Sequence, residues 1–386
     1  MSDYMIPLGG GNEIGASAYF LSIGGLRVLL DCGARQSGEE LYPDYERLLR
    51  ELTDFSEIDL ILISHGHYDH IGSFLKIAML APNAEIIATR DTKSLISLQL
   101  LEFGRVSRRS ESERIKNERF RLAQAAMARI QEMPVMSPFV RKGCRITLLP
   151  AGHMPGAVMV YLESPEHRIL YSGDFSVRSM FGLNGMRMLP EIKPDVLLLN
   201  APNTYLTPEE WREQLACTGN KRCGAGHSVW LEREIRRNLA AGNQVYLYSR
   251  GVPKHLDLFY FLQDAFPEVP VILEPKSRVV ADALADMGYA VYGNQTRTCG
   301  RVPDGGSIIV GQETARAGCV PLSFDNYSLH ASPPETVRFA EQTGAKTIFL
   351  LHVRPDFRKE SPAYAMKLGG ADAEVTQAEN GKKYEL

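Results

Sequence analysis

The sequence contains no CxxC pair. Its six cysteines, Cys32, Cys144, Cys217, Cys223, Cys299 and Cys319, are scattered over 386 residues. That spacing reads as buried free thiols in a reducing compartment and argues against a disulfide framework. An excess of one charge is also missing. With 43 Lys and Arg against 46 Asp and Glu the net charge is −3, which excludes a bulk polyanion binder and requires any nucleic-acid surface to be local. No apolar run approaches membrane-spanning length, and the N-terminal residues lack the charged-then-apolar pattern of a targeting signal. A cytoplasmic protein with no membrane partner is expected. Internal repeats and low-complexity segments are absent. What is present, 44% hydrophobic and 23% charged residues, is the profile of a soluble globular protein, long enough for one large or two ordinary domains.

The most informative stretch is 58–72. It opens with an almost unbroken apolar run to Ser64, short and branched enough to be a strand buried on both faces. His65, His67, Asp69 and His70 follow within six residues. Extended alternation sends His65 and His67 to one side, while Asp69 and His70 open the next element and face a second position nearby. Two imidazoles for one ion, and a carboxylate with an imidazole for another, suit a pair of borderline metals such as zinc.

Before this stretch, Gly9 to Gly15 form a glycine-rich turn. It leads into two apolar runs joined by Gly24 and Gly25, a hairpin pattern. The glycine spacing fits no phosphate loop, and no helix follows it. After the stretch, a helix over 73–80, a strand over 84–89 and a helix over 91–103 are expected. Between 105 and 129, Arg105, Arg108, Arg109, Arg114, Lys116, Arg119, Arg121 and Arg129 interleave with glutamates. A solvated helix with i,i+4 ion pairs is the favoured reading; a basic arm over a substrate groove is the alternative. Strands at 145–150 and 195–200 flank a hairpin over 158–171. From 244, strands and helices alternate through 310 (the last strand expected there being 307–310), which predicts a small parallel α/β unit.

The His-x-His-x-Asp-His pattern at 65–70 resembles the second signature motif of the metallo-β-lactamase superfamily. Asp31 at a strand end, His153 on a Gly/Pro-rich turn and Asp174 after Ser172 and Gly173 match its first, third and fourth. The layout of the second half is similar to the β-CASP branch, which includes ribonuclease J and the endonuclease of pre-mRNA 3′-end formation. The resemblance implies an α/β fold: a metallo-β-lactamase αββα sandwich from 1–204 and 328–386, with an inserted small β-CASP-like domain at 205–327. It assigns His65, His67 and His153 to one zinc ion, Asp69, His70 and His352 to a second, and Asp174 to both. Asp31 becomes a supporting group behind the ligands. His330 matches the branch's motif B, as general acid, and His352 its motif C. The remaining histidines, His167, His227 and His255, are expected at the surface.

Two departures stand out. Where the branch has an acid that orients the motif B histidine, this chain has Asn200, which can accept a hydrogen bond but supplies no charge. The insert is short, and the run from Ser249 to Lys254 only partly follows the branch's helix start. No accessory domain is expected after Leu386. The implied activity is two-metal hydrolysis of RNA or single-stranded DNA, with Asp69, Asp174 and His330 catalytic and Arg250 and Lys254 binding substrate. The partners are single-stranded nucleic acid and a homodimer or larger protein complex. The alternatives are a small-molecule metallo-hydrolase of lactonase or thioesterase type, which would need neither His330 nor the insert, and a weakly active scaffold.

Overall fold

Strands form at the N-terminal end because apolar residues occupy both faces of each run and both faces are covered. A computed structural model describes residues 3–103, 113–179, 182–187, 189–202, 224–249, 251–293, 296–297, 306–324, 329–353 and 373–386. The chain divides into two units. One comprises Met1–Val177, Met186–Trp211 and His330–Leu386; the other comprises Arg178–Gly185 and Arg212–Leu329.

In the first unit, β1 (Tyr4–Gly9), β2 (Ala18–Ile23), β3 (Leu26–Leu30), β4 (Leu60–Leu62), β5 (Glu85–Ala88) and β6 (Ile130–Glu132) lie side by side in that order. A second sheet is built from β7 (Phe139–Arg141), β8 (Cys144–Pro150), β9 (Val158–Glu163), β10 (Arg168–Tyr171), β11 (Val196–Asn200), β17 (Thr347–Leu351) and β18 (Glu374–Gln377). Its order is β18-β17-β11-β10-β9-β8-β7. The closing strand β19 (Tyr384–Glu385) returns to pair with β1 in the first sheet. Alternation along β2 sorts the side chains. Tyr19, Leu21 and Ile23 join Ile146, Val160 and Leu198 in the core between the sheets. Ala18 and Phe20 join Phe74, Ile77 and Met127 in a second core beneath the helices. Burying each large apolar side chain contributes about 1.5–3 kcal/mol, so the two cores, and not strand propensity, hold β4 although it has only three residues.

The helices of this unit are α1 (Tyr68–Ile71), α2 (Phe74–Leu80), α3 (Arg90–Ser97, continued by a wider turn over Leu98–Phe103), α4 (Glu113–Ala128) and, after the second unit, Pro333–Thr343. In α4, Ala123, Ala126 and Met127 are buried while Arg119 and Arg121 are exposed, as a solvated amphipathic helix requires. Arg129 serves the packing instead. Its guanidinium donates to the carbonyls of Ala78, Ala81 and Ala84, satisfying the chain where α2 ends. Arg105, Arg108 and Arg109 lie outside the described residues, as do the side chains of Arg114 and Lys116. The pair of sheets flanked by helices is the αββα sandwich that the resemblance implied.

The second unit holds a five-stranded parallel sheet. Its strands are β12 (Gln244–Tyr248), β13 (Val271–Leu273), β14 (Thr296–Arg297), β15 (Ile308–Gly311) and β16 (Cys319–Ser323), in the order β14-β13-β15-β12-β16. Three helices are described there: α5 (Gly224–Ala240), α6 (Val252–Ala265) and α7 (Pro275–Asp286); the helix Pro333–Thr343 of the first unit is therefore α8. Two expectations are corrected. The strand at 307–310 is followed by β16. Pro321 obscured it, because a proline that cannot donate to a ladder is tolerated only at an edge, and β16 is the edge strand. His255 is not at the surface but fully buried, where its Nδ1 meets the Gly251 carbonyl at 3.0 Å and its Nε2 the Ser277 hydroxyl at 3.0 Å. His167 is half-buried, and the side chain of His227 lies outside the described residues. No described helix is long and apolar enough to cross a membrane.

Gly33 ties the fold to the site. A Cβ there would collide with the Asp69 carbonyl and the Ser17 backbone nitrogen, both backbone atoms that cannot swing away. Gly33→Ala is expected to destabilise the protein by about 3 kcal/mol, at the upper end for overpacking. A urea midpoint equal to that of the parent would contradict this.

Candidate metal centre

The site assembles at the ends of strands. After β4 the chain stays extended through His65 and turns into α1 at His67, which occupies the cap position with extended backbone. His65 and His67 therefore point to one place, and Asp69 and His70, in the first turn of α1, to another. His153 arrives on the turn after β8, a turn pinned by the Thr89 and Thr92 hydroxyls, which both donate to the Gly156 carbonyl (2.8 and 3.0 Å). Asp174 follows β10, Asn200 ends β11, and His352 follows β17.

These arrivals form two groups, each with its candidate ligand atoms within 4.8 Å of one another: His65, His67, His153 and Asp174, and Asp69, His70 and His352. Asp174 Oδ2 stands between them. It lies 3.6 Å from His65 Nε2, 3.9 Å from His153 Nε2, 3.7 Å from His70 Nε2 and 3.6 Å from His330 Nδ1. His352 Nε2 is 3.6 Å from Asp69 Oδ2. Whether these residues suit metal ions can be tested on their unmet bonding. His65 Nε2 and Asp174 Oδ2 are buried and have no hydrogen-bond partner. A buried acceptor pair facing each other is costly unless a cation or proton lies between them, and imidazole nitrogen with carboxylate oxygen is a donor set that zinc accepts. The residues fit.

Protonation states agree with that fit. Burial, with the neighbouring His70, His153 and His67 adding to it, drives His65 well below the usual imidazole range. Burial also lowers His67 and His352. These three rings are neutral near pH 7 and can offer a lone pair. Burial alone would raise the Asp174 carboxyl, but His330, His352, His70 and His65 together hold it well below the carboxylate range. His70 differs. Burial opposes its charge, yet Asp174, then Asp31, outweigh it and push its pKa up to about 9.

Asp31 explains how His70 is aimed. Its carboxylate accepts from the Ser64 backbone (2.6 Å), the Ser64 hydroxyl (2.7 Å) and the Tyr171 hydroxyl (2.6 Å). It also meets His70 Nδ1 at 2.7 Å. With Nδ1–H donating there, Nε2 is the nitrogen left for an ion. Both Asp31 (φ 61°) and His352 (φ 55°) hold left-handed backbone conformations, unusual for residues with a side chain and typical of functional loops. The His352 N–H donates to the Gly10 carbonyl at 2.6 Å, and its Nδ1 meets the Ser17 hydroxyl at 3.1 Å. The glycine-rich turn thus seats His352.

Two sequence expectations change or fall away. Asn200 lines one small pocket with His330 and also bonds Asp174. Its amide donates to Asp174 Oδ1 (3.1 Å) and its backbone N–H to the Ser172 hydroxyl (2.9 Å). It is a ligand-side support, because a neutral donor can bond a carboxylate that a second carboxylate would repel. Arg250 lies outside the described residues, and Lys254 is in the first turn of α6 in the second unit, half-buried. Sequence reasoning missed Ser17, Ser64 and Tyr171 as supports. The available signal was Ser64, a polar residue closing an apolar run immediately before a ligand.

Asp31→Asn removes the charge behind His70 and one acceptor from four converging donors. Affinity for the second ion is expected to fall about 10- to 100-fold, the usual cost of losing such a partner, with the fold retained by circular dichroism. A chelator competition titration identical to the parent's would contradict the role of Asp31.

Comparison with known proteins agrees with this geometry. The model of the metallo-β-lactamase superfamily matches residues 11–196. Among curated relatives, the endoribonuclease YSH1 of Yarrowia lipolytica is 33% identical over 298 residues, covering 74% of this chain and 32% of that protein. Cleavage and polyadenylation specificity factor 73 of Drosophila melanogaster is 32% identical over 204 residues, covering 52% of this chain and 28% of its own. Integrator complex subunit 11 of Danio rerio is 27% identical over 209 residues, covering 52% and 34%. The chain therefore spans about a third of the length of these relatives. A solved structure of a protein of unknown function from Enterococcus faecalis shares the fold, with a TM-score of 0.67 at 13% identity and full coverage of both chains. The motifs at 31, 65–70, 153 and 174, the sandwich beneath them and these relatives agree: residues 11–196 match the metallo-β-lactamase superfamily, and the chain resembles its β-CASP branch.

Proposed function

We propose that this chain is a zinc-dependent nuclease that hydrolyses phosphodiester bonds of single-stranded RNA. The observation that carries the proposal is His330. It belongs to neither ligand group, yet its Nδ1 lies 3.6 Å from Asp174 Oδ2, an oxygen of the first group that is also 3.7 Å from His70 Nε2 of the second. An imidazole placed beside a metal centre without being needed as a ligand suits proton transfer to a leaving oxygen. A lactonase would have less use for it. RNA is preferred over DNA because relatives of this chain are named endoribonucleases.

In this reading His65, His67, His153 and Asp174 would hold one zinc ion, and Asp69, His70 and His352 the other. When bound, two such cations lower the pKa of a water molecule and neutralise charge developing on the phosphoryl oxygens. The chain's own part is orientation. Asp31 fixes the His70 ring, Ser17 fixes His352, and Asn200 directs Asp174 by bonding its outer oxygen. Nδ1 of His330 is turned to Asp174, and the role assigned to this ring is proton transfer to the leaving 3′-oxygen. We further propose that residues 1–204 and 328–386 carry this centre, that the insert at 205–327 contributes to substrate selection, and that the protein works in a reducing, cytoplasmic compartment within a homodimer or larger protein complex.

Purified protein is expected to cut labelled single-stranded RNA, and a chelator should abolish the cleavage. His330→Ala should lower turnover about 100-fold or more while the protein keeps its metal, whereas His352→Ala should lose metal from the second group. If both variants lost metal equally, the role given to His330 would be wrong. Fast hydrolysis of a lactone or thioester alongside inert RNA would favour the small-molecule hydrolase instead.

A further inference from the structure

A cleft of about 520 Å³ opens in the first unit, lined by Val177, three residues after Asp174. One wall is the segment after Asp174. The Met186 N–H donates to the Ser176 carbonyl (2.7 Å), and the Ser176 N–H to that of Ala151 (3.0 Å). The other wall is α8, whose Phe339 packs on Phe175 with ring centroids 4.6 Å apart. Arg187 and Lys193 line the first wall and Arg338 the second. All three are exposed. Among the described residues none of them forms an ion pair. One carboxylate lines the cleft, that of Glu335, and it is engaged: its Oε2 accepts from the Ser332 backbone (2.7 Å) and hydroxyl (2.6 Å) in a capping box. Three cations against one carboxylate leave a local excess of positive charge in a chain whose net charge is −3.

The placement matters as much as the charge. Val177 of the first wall lies three residues after Asp174, and α8 begins three residues after His330. Both walls therefore lead away from the two groups nearest the proposed chemistry. The floor is apolar, with Met186 and Phe339 buried. Cations on two facing walls over an apolar floor match a chain that carries a charge on every unit and a flat base or sugar between charges. A volume of about 520 Å³ falls within the range that encloses a small ligand.

We propose that this cleft is a subsite for the RNA strand, in which Arg187, Lys193 and Arg338 hold backbone phosphates next to the scissile bond. The proposal rests on the nuclease reading. It supplies the local positive surface that the overall charge requires, and it places that surface within the sandwich unit.

The test uses full-length Asp69→Asn protein, inert for cleavage, and a fluorescent single-stranded RNA titrated by anisotropy at several salt concentrations. Each phosphate contact contributes about −0.7 to the log–log salt slope for a single strand. Adding Arg187→Gln, Lys193→Gln and Arg338→Gln is thus expected to make the slope shallower by about 2 and to weaken binding. Lys382→Gln, an exposed control in the same unit, should change neither. Arg187→Lys with Arg338→Lys should keep the parent slope, which separates charge from folding damage. RNA bound by the triple variant with the parent's slope and affinity would overturn the cleft while leaving the nuclease reading intact. Loss of adenosine monophosphate binding with strand binding unchanged would make it a small-anion site and likewise overturn the proposal. Asp69→Asn protein that binds no RNA at any salt concentration would overturn the nuclease reading and the cleft with it.

Discussion

The structure depends on one buried carboxylate. Asp174 is 2% exposed, and removing a carboxylate from water costs several kcal/mol unless positive charge and donors replace the solvent. Asn200 supplies a donor to one oxygen. The other is surrounded by His65, His70, His153 and His330 at 3.6–3.9 Å, rings that approach from separate chain segments. Fixing His65 and His153 around one oxygen of Asp174 requires β4, β8 and β10 to end at the same edge of the sandwich. Both apolar cores serve that requirement, because register in each strand decides which residue falls at the rim. The left-handed turns at Asp31 and His352 follow from it too, since a strand that ran on regularly would carry those side chains past the centre.

Supporting groups are as constrained as the ligands. Ser17, Ser64, Asp31 and Tyr171 are all buried, and each bonds a candidate ligand or another support. Ser17, just after the glycine-rich turn, meets His352, and its N–H, which donates to the Asp69 carbonyl at 2.9 Å, holds the start of α1. Three distant stretches, near residues 17, 69 and 352, are thus tied together by hydrogen bonds. Preorganisation of this kind keeps a polar site from collapsing when its charges change.

Much of this was legible in the sequence where the physics is local. Residues 58–64 read as a doubly buried strand because the run is almost wholly apolar, and the spacing of His65, His67, Asp69 and His70 followed from extended backbone turning into helix. The parallel sheet of the second unit followed from its alternation of elements. What stayed hidden depended on neighbours remote in the chain. The bond from Asn200 to Asp174 is one case, since only the pairing of β10 with β11 brings the two together. His255 was expected at the surface because it falls on none of the motif positions. Its burial depends on Ser277, one helix later, which bonds its ring. The edge strand β16 was concealed by Pro321. Ser17 gave no signal beyond its place in a turn, since its role is defined by residues more than fifty positions away.

The central claim is that the two side-chain groups around Asp174 hold two zinc ions. Elemental analysis of protein expressed with ample metal, desalted and related to protein concentration, tests it most directly. The account predicts close to two zinc ions per chain; one ion or none would contradict it.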